Sequence, residues 1–302
     1  MPGPALLAVP NFSEGRDGAV LALIGDALQA SGGARLLDVH ADGDHHRSVF
    51  TLAGDQGALP DALLGGATVA CERIDVAAQD GGERPGRHPH VGAVDVVPLV
   101  YLDEDARGAA GAAALVVAER IGAELGVPVL LYGELTAGDK APGRTRAELR
   151  RGGLDALAAR LVDGTLHADF GPSRAHVTAG ATLVAARPPL VAFNLQLAAP
   201  AGVADARAIA ARVREGGDDG LPGLRAIGVE LAGGVAQVSM NVERPLDVPL
   251  AAVVAAVVRH APVASAELVG LAPRAALEGF PADVEMPGFD PARHVIENAL
   301  GS

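Results

Sequence analysis

The order of apolar runs constrains this chain more than any single motif. Short apolar stretches alternate with stretches of helical spacing in the order strand, helix, strand, strand, helix, strand. Residues 5–10 form an apolar run closed by Pro10. Asp17 then offers an N-cap, and Val20, Leu21, Ile24 and Leu28 recur at helical spacing up to Ser31, where Gly32-Gly33 ends the helix. Residues 35–39 and 47–53 read as a hairpin about a polar turn, residues 59–76 as a second helix, and residues 94–101 as a buried strand. This is the split β-α-β plan.

Residues 109–125 predict a further helix, residues 127–132 a strand, and residues 145–161 one helix with a basic middle of Arg146, Arg150 and Arg151. From residue 183 the first plan recurs. Strands at 183–186 and 190–197 precede a helix at 203–214. A hairpin pairs 224–231 with 235–242 across Ala232-Gly233-Gly234, and a helix at 248–259 leads to a strand at 263–268. The tail beyond Glu278 is interrupted by proline and glycine and ends in a short helix near Arg293. The expected fold is α/β (α+β), with two ferredoxin-like-type βαββαβ subdomains. The boundary near Arg187-Pro188-Pro189 divides residues 1–187 from residues 188–302. Two half-covered sheets invite packing with a ligand groove between them.

Composition narrows the partners. Apolar residues make up 49% of the chain, yet aromatics only 3% with no tryptophan, so the core must be built from Ala, Val and Leu. A formal net charge of −13 disfavours nucleic acid, which calls for a basic face. The single cysteine, Cys71, rules out an intramolecular disulfide and suits a cytoplasmic protein. The first residues lack the basic and long apolar regions of a secretory leader. No apolar run reaches the roughly 18 residues of a membrane span.

Three stretches carry candidate chemistry. In the first, a loop rich in glycine and charge delivers His88-Pro89-His90 to the mouth of the 94–101 strand, and Pro89 holds His88 extended. An imidazole titrates near neutral pH, so His88, with His90 and Asp95, could serve acid–base work, and Asp38 could orient one of the histidines. Spacing alone leaves open that they are ordinary surface histidines. In the second, residues 40–47, three imidazoles and two carboxylates crowd one turn. His40, Asp44, His45 and His46 could bind a metal in a hydrolase, but the stretch leads into a strand where such a motif would lead into a helix, which favours a polar hairpin turn. The third is a glycine- and proline-set loop with hydroxyls and a cation, residues 169–180, suited to a flat heterocycle or to a plain linker. No glycine-rich piece has the lysine-plus-hydroxyl ending of a nucleotide-phosphate loop.

Eight ordered blocks resemble glutamate formimidoyltransferase (formiminotransferase). They begin with Val9-Pro10-Asn11-Phe12-Ser13-Glu14-Gly15 and Leu36-Leu37-Asp38-Val39, followed by His88-Pro89 with Gly92-Ala93-Val94-Asp95-Val96. Gly126-Val127-Pro128-Val129 with Leu131-Tyr132-Gly133-Glu134 and Asp169-Phe170-Gly171-Pro172 come next. Ala192-Phe193-Asn194, Ala236-Gln237-Val238-Ser239 with Asn241, and Leu268-Val269-Gly270-Leu271 complete the set. The resemblance implies transfer of the formimidoyl group from N-formimidoyl-L-glutamate to N5 of tetrahydrofolate, the co-substrate, in histidine degradation. It implies a homodimer and His88 as the catalytic base, and no metal site is expected beside them. It puts the folate contact on Gly171-Pro172-Ser173-Arg174-Ala175-His176-Val177-Thr178-Ala179-Gly180. Apart from the resemblance, Asp38, His40 and Arg47 are candidate supporting residues, with Arg47 suited to a substrate carboxylate. Some positions depart from the family pattern: His40 stands where animal members carry Asp, and Thr178 where a proline is usual. A folate-binding relative without catalysis is therefore a third reading beside the transferase and the metal-dependent hydrolase.

Overall fold

The computed structural model describes residues 5–79, 90–138 and 143–301. The chain divides into two compact units, with the described residues up to Pro188 in one and those from Pro189 in the other.

The first unit begins with β1 (Leu6–Ala8), β2 (Asn11–Phe12), α1 (Gly18–Gln29), β3 (Arg35–Asp42), β4 (Arg47–Gly54), α2 (Ala58–Arg73), α3 (Val76–Gln79) and β5 (Val94–Tyr101). Asp17 caps α1, its carboxylate accepting from Ala19 and Val20 N–H. β4 pairs antiparallel with β1, β2 and β3, and β5 pairs antiparallel with β1 and β2. The chain continues through α4 (Arg107–Glu124), β6 (Val129–Leu131), α5 (Arg146–Leu149), α6 (Gly153–Asp163) and β7 (Thr182–Arg187). β7 lies parallel to β5, and β6 parallel to β7, giving a sheet of seven strands among the described residues.

One face of this sheet is covered by α1, α2 and α4. α4 buries Ala110, Ala113, Ala114, Val117 and Ala118, so a helix of small side chains lies close on the strands. On the other face Leu149, Leu157 and Leu161 of α5 and α6 pack on Val96, Leu130 and Leu183. The second unit comprises β8 (Val191–Leu197), α7 (Val203–Val213), β9 (Leu224–Glu230), β10 (Ala236–Val242), α8 (Leu250–Val258) and β11 (Val263–Val269). Its four strands run in the order β11-β8-β10-β9, all antiparallel, and α9 (Pro291–His294) and α10 (Ile296–Leu300) close the chain.

The expected α+β architecture of two subdomains is present, with three local differences. β3 runs on to Asp42, because its pairing with β4 continues through His40↔Val49 and Asp42↔Arg47. The expected second helix stops at Arg73, where Ile74 turns extended, and α3 is separate. The expected helix over 145–161 is two helices, because Gly152 and Gly153 adopt φ of 80° and 71°. Left-handed backbone ends one helix and redirects the chain into the next. Among the described residues no helix is long and apolar enough to cross a membrane.

Candidate active site

The residues that lead into β5 are held on three sides. Ser13, in the turn after β2, donates its hydroxyl to Gly92 O at 2.7 Å and its N–H to Ala93 O at 3.0 Å. From the other side, Ala93 N–H donates to Ala179 O and Ala181 N–H to Val91 O, each at 2.9 Å, and Gly92 and Gly180 form an antiparallel bridge. Beneath, Asp95 Oδ1 accepts Val91 N–H at 2.8 Å, while Oδ2 is ion-paired with Arg150. The bridge needs its two glycines. A Cβ on Gly92 would stand 1.9 Å from Ala181 O, and one on Gly180, where φ is +69°, would stand 2.3 Å from Val91 O.

The loop that meets this segment is anchored at both ends and open in the middle. At its entry Phe170 pairs with the edge of β6, Val129 N–H donating to Phe170 O at 2.9 Å. Asp169 accepts Leu131 N–H at 2.7 Å and is ion-paired with Arg144. Gly171 then turns with φ +79°, pressed on Gly122 of α4, whose Cβ would lie 2.6 Å from Gly171 N. Ser173, Arg174 and Val177 are exposed, whereas Ala179 and Gly180 are buried. His176 and Gly180 exchange two backbone bonds of 2.8 and 3.0 Å. His176 Nδ1 also accepts the N–H groups of Thr178 at 3.3 Å and Ala179 at 3.0 Å. A ring nitrogen that accepts two N–H bonds carries no proton, so the hydrogen of the neutral imidazole sits on Nε2. Thr178 O accepts from Val76 N–H at 2.9 Å, tying the turn to α3.

Residues 5–187 match the formiminotransferase domain, N-terminal subdomain. A glutamate formimidoyltransferase of Streptococcus pyogenes serotype M1 is 33% identical over 299 residues, spanning 97% of both chains. The chain belongs to the formiminotransferase family. The glutamate formimidoyltransferase of Thermoplasma acidophilum is 34% identical over 278 residues, spanning 89% of this chain and 88% of that one. The formimidoyltransferase-cyclodeaminase of Gallus gallus is 35% identical over 278 residues, but those residues span only 50% of its length.

Within this formiminotransferase fold the residues singled out by sequence fall into separate places. His88 and the loop around it lie outside the described residues. Asp38 and His40 share one face of β3, opposite Thr51 and Val49, and Arg47 opens β4 opposite Asp42. Asp38 is buried. In the sheet β3 is separated from β5 by β4 and by β1–β2, about 14 Å at the usual strand spacing. The bonding of the 40–47 turn makes it a hairpin turn. Asp42 Oδ1 accepts the N–H groups of Asp44 at 2.8 Å and His45 at 2.9 Å, and His46 Nδ1 accepts Gly15 N–H at 3.3 Å. His45 is buried and Asp44 exposed. Among the described residues no group of three or more His, Cys, Asp or Glu is arranged to hold a metal ion. Asp95 has both carboxylate oxygens engaged, by Val91 N–H and by Arg150, rather than by an imidazole.

Sequence reasoning missed Ser13 and Arg150. Ser13 lies inside the most specific motif of the chain, which was a signal of importance without a role. Arg150 looked like one charge on a basic helix face. It follows α5, where Thr145 and Glu148 form a capping box at the first turn. The backbone N–H and then the hydroxyl of Thr145 hold the Glu148 carboxyl below the ordinary range.

Proposed function

We propose that this chain transfers the formimidoyl group of N-formimidoyl-L-glutamate to N5 of tetrahydrofolate, a step of histidine degradation. His88 is the general base, and residues 171–180 are the folate contact. The observation that carries the reading is the bridge between Val91–Ala93 and Ala179–Ala181, in a chain of the formiminotransferase family. It ties the segment that follows His88 by three residues to the end of the loop expected to meet folate.

The chemistry suits a single imidazole. N5 attacks the formimidoyl carbon and forms a C–N bond, giving a tetrahedral intermediate. The base takes the proton that N5 loses. Collapse of the intermediate breaks the bond to the glutamate nitrogen, which receives that proton as it leaves. A group with a pKa near neutrality serves both transfers. Holding two substrates in one orientation supplies much of the remaining acceleration. The open middle of the 171–180 loop, between two anchored ends, leaves Ser173, Arg174 and the Nε2–H of His176 available to the carbonyl and carboxylate groups of a folate. Asp38, His40 and Arg47 are assigned a supporting role on their chemistry, a carboxylate to orient an imidazole, an imidazole beside it on β3, and a cation for a substrate carboxylate.

The test is to mix purified protein with tetrahydrofolate and N-formimidoyl-L-glutamate in the presence of a chelator, and to follow released glutamate and the ultraviolet spectrum of the folate product. The expected result is turnover by the wild type and a loss of about 10²- to 10⁴-fold in His88→Ala. A His88→Ala protein that retained full activity would sink the assignment of the base. Activity that disappears with the chelator and returns with a metal would favour a metal-dependent reaction.

A further inference from the structure

Asp95 and Arg150 are both buried, their side chains 8% and 9% exposed, and they meet beneath the bridge between the two site segments. One oxygen of Asp95 meets Nη2 of Arg150, and the other accepts Val91 N–H at 2.8 Å. Arg150 is in turn fixed by its surroundings. It follows α5, whose last carbonyls at Glu148 and Leu149 accept from Arg160 of α6 at 3.2 and 2.5 Å. Leu154, in the first turn of α6, lies 3.2 Å from where a Cβ on Gly180 would stand. The junction of α5 and α6 therefore supports both halves of the bridge, Val91 by way of Asp95 and Gly180 by way of Leu154.

Stability alone gives little reason for charges here. A buried ion pair is often no better than apolar packing of the same volume, because both charges lose their hydration. A charged N–H donated to one carboxylate oxygen gives direction instead, since it leaves the second oxygen turned to Val91 N–H. We propose that Asp95 and Arg150 are a positioning pair for the transfer reaction. They set the height and register of Val91–Ala93 against Ala179–Ala181, the end of the proposed folate loop. The inference rests on the function proposed above. Neither residue is assigned contact with substrate.

The test compares Asp95→Asn, Arg150→Met and the double variant, measuring kcat, KM for both substrates, and Tm. Each single change leaves one buried charge without its partner, and each is expected to lower Tm and to lower kcat about 10- to 100-fold. The double change removes both charges. Its Tm is expected to return towards the wild-type value, while its kcat stays at least about tenfold down and both KM values stay within about threefold. A purely structural pair predicts otherwise, with activity recovering together with Tm, and a double variant of wild-type kcat would overturn the proposal. If the double variant does not fold, Arg150→Lys keeps the charge and loses the planar guanidinium whose Nη2 meets Asp95. A folded Arg150→Lys protein with lowered kcat and faster hydrogen exchange at the Val91 amide supports the pair, and one with wild-type kcat overturns it. Absence of transfer by the wild type would defeat the functional reading itself, an outcome distinct from either.

Discussion

In the first unit β3, β4, the β1–β2 pair and β5 stand in the same order as β9, β10, β8 and β11 in the second. The fourth strand of each set shows what was added. β11 is an edge strand, and Ser265, Glu267 and other partly exposed residues alternate along it. β5 is buried at all eight positions, because β7 pairs with it on the side where no strand pairs with β11. A strand covered on both faces and both edges reads as a continuous apolar run, whereas an edge strand keeps polar positions. The addition of α4, β6, α5, α6 and β7 does more than lengthen the sheet. It brings residues 179–181 alongside residues 91–93, and it supplies the buried arginine under Asp95. The second unit has the same strand order, but beside β11 the described residues place a tail contact, Ala266 N–H donating to Glu285 O at 2.8 Å, and no further strand. The candidate site therefore belongs to what distinguishes the two units, not to what they share.

The sharpest way to break this comparison is to place one methyl group at the equivalent kind of contact in each unit. Gly92→Ala puts a Cβ 1.9 Å from Ala181 O, and Gly228→Ala puts one 2.2 Å from Arg207 N, where α7 lies on β9. Gly92→Ala is expected to lower kcat by about 100-fold or more, through displacement of the two site segments. Gly228→Ala is expected to cost about 1–3 kcal/mol of stability in urea titration, as overpacking does, with kcat of the folded protein within about twofold of wild type. The reverse pattern would mean that the site does not depend on the bridge.

A smaller effect separates the two roles of His176. His176→Ala removes the acceptor for Thr178 and Ala179 N–H and should raise KM for tetrahydrofolate severalfold, as the turn loses about 1 kcal/mol of hydrogen bonding. In His176→Asn the Oδ1 atom takes the place of Nδ1, so the turn survives and KM should stay within about twofold of wild type. If the asparagine variant is as poor as the alanine one, Nε2 of the imidazole itself meets the ligand.

The smallest effect supplies a reporter for the first unit alone. Cys71 of α2 is the only thiol of the chain, and burial, followed by the neighbouring Glu72, pushes it from the ordinary 9.0 up to about 11. Raised in the folded state, it holds its proton until higher pH than in the unfolded chain. Its contribution to stability is therefore complete below pH 9 and declines as pH rises towards 11. At pH 8 the native thiol should react with a disulfide reagent about a hundredfold more slowly than the unfolded one, from the difference in thiolate fraction. Gly228→Ala should leave that protection intact. Exposure of Cys71 in that variant would show that the two units unfold as one.

Much of the fold was legible. Asp17 caps α1, a polar turn closes one hairpin and Ala232-Gly233-Gly234 the other, and β5 begins and ends where its apolar run does. What misled was also local. The helical spacing over 145–161 is real, but Gly152 and Gly153 interrupt it with left-handed backbone, and a period count does not register a break that preserves the period. Of the candidate site, the loop and its glycines stood out in the sequence, while the role of Asp95 did not. Its spacing from two histidines suggested an acid–base partner, and its carboxylate is instead given to Arg150 and Val91.

The sequence by itself determined the alternation of strands and helices, the turns and the caps, because each depends on side-chain period and backbone preference within a few residues. Only the tertiary structure decided that Ser13 would hold Gly92 from 79 residues away, that Arg150 would meet Asp95 across 55, and that residues 179–181 would lie beside 91–93. The physical reason is that a strand edge offers the same N–H and C=O groups whatever its side chains. Its partner is chosen by which segments the packing of the whole unit brings within 3 Å, not by anything local to either strand.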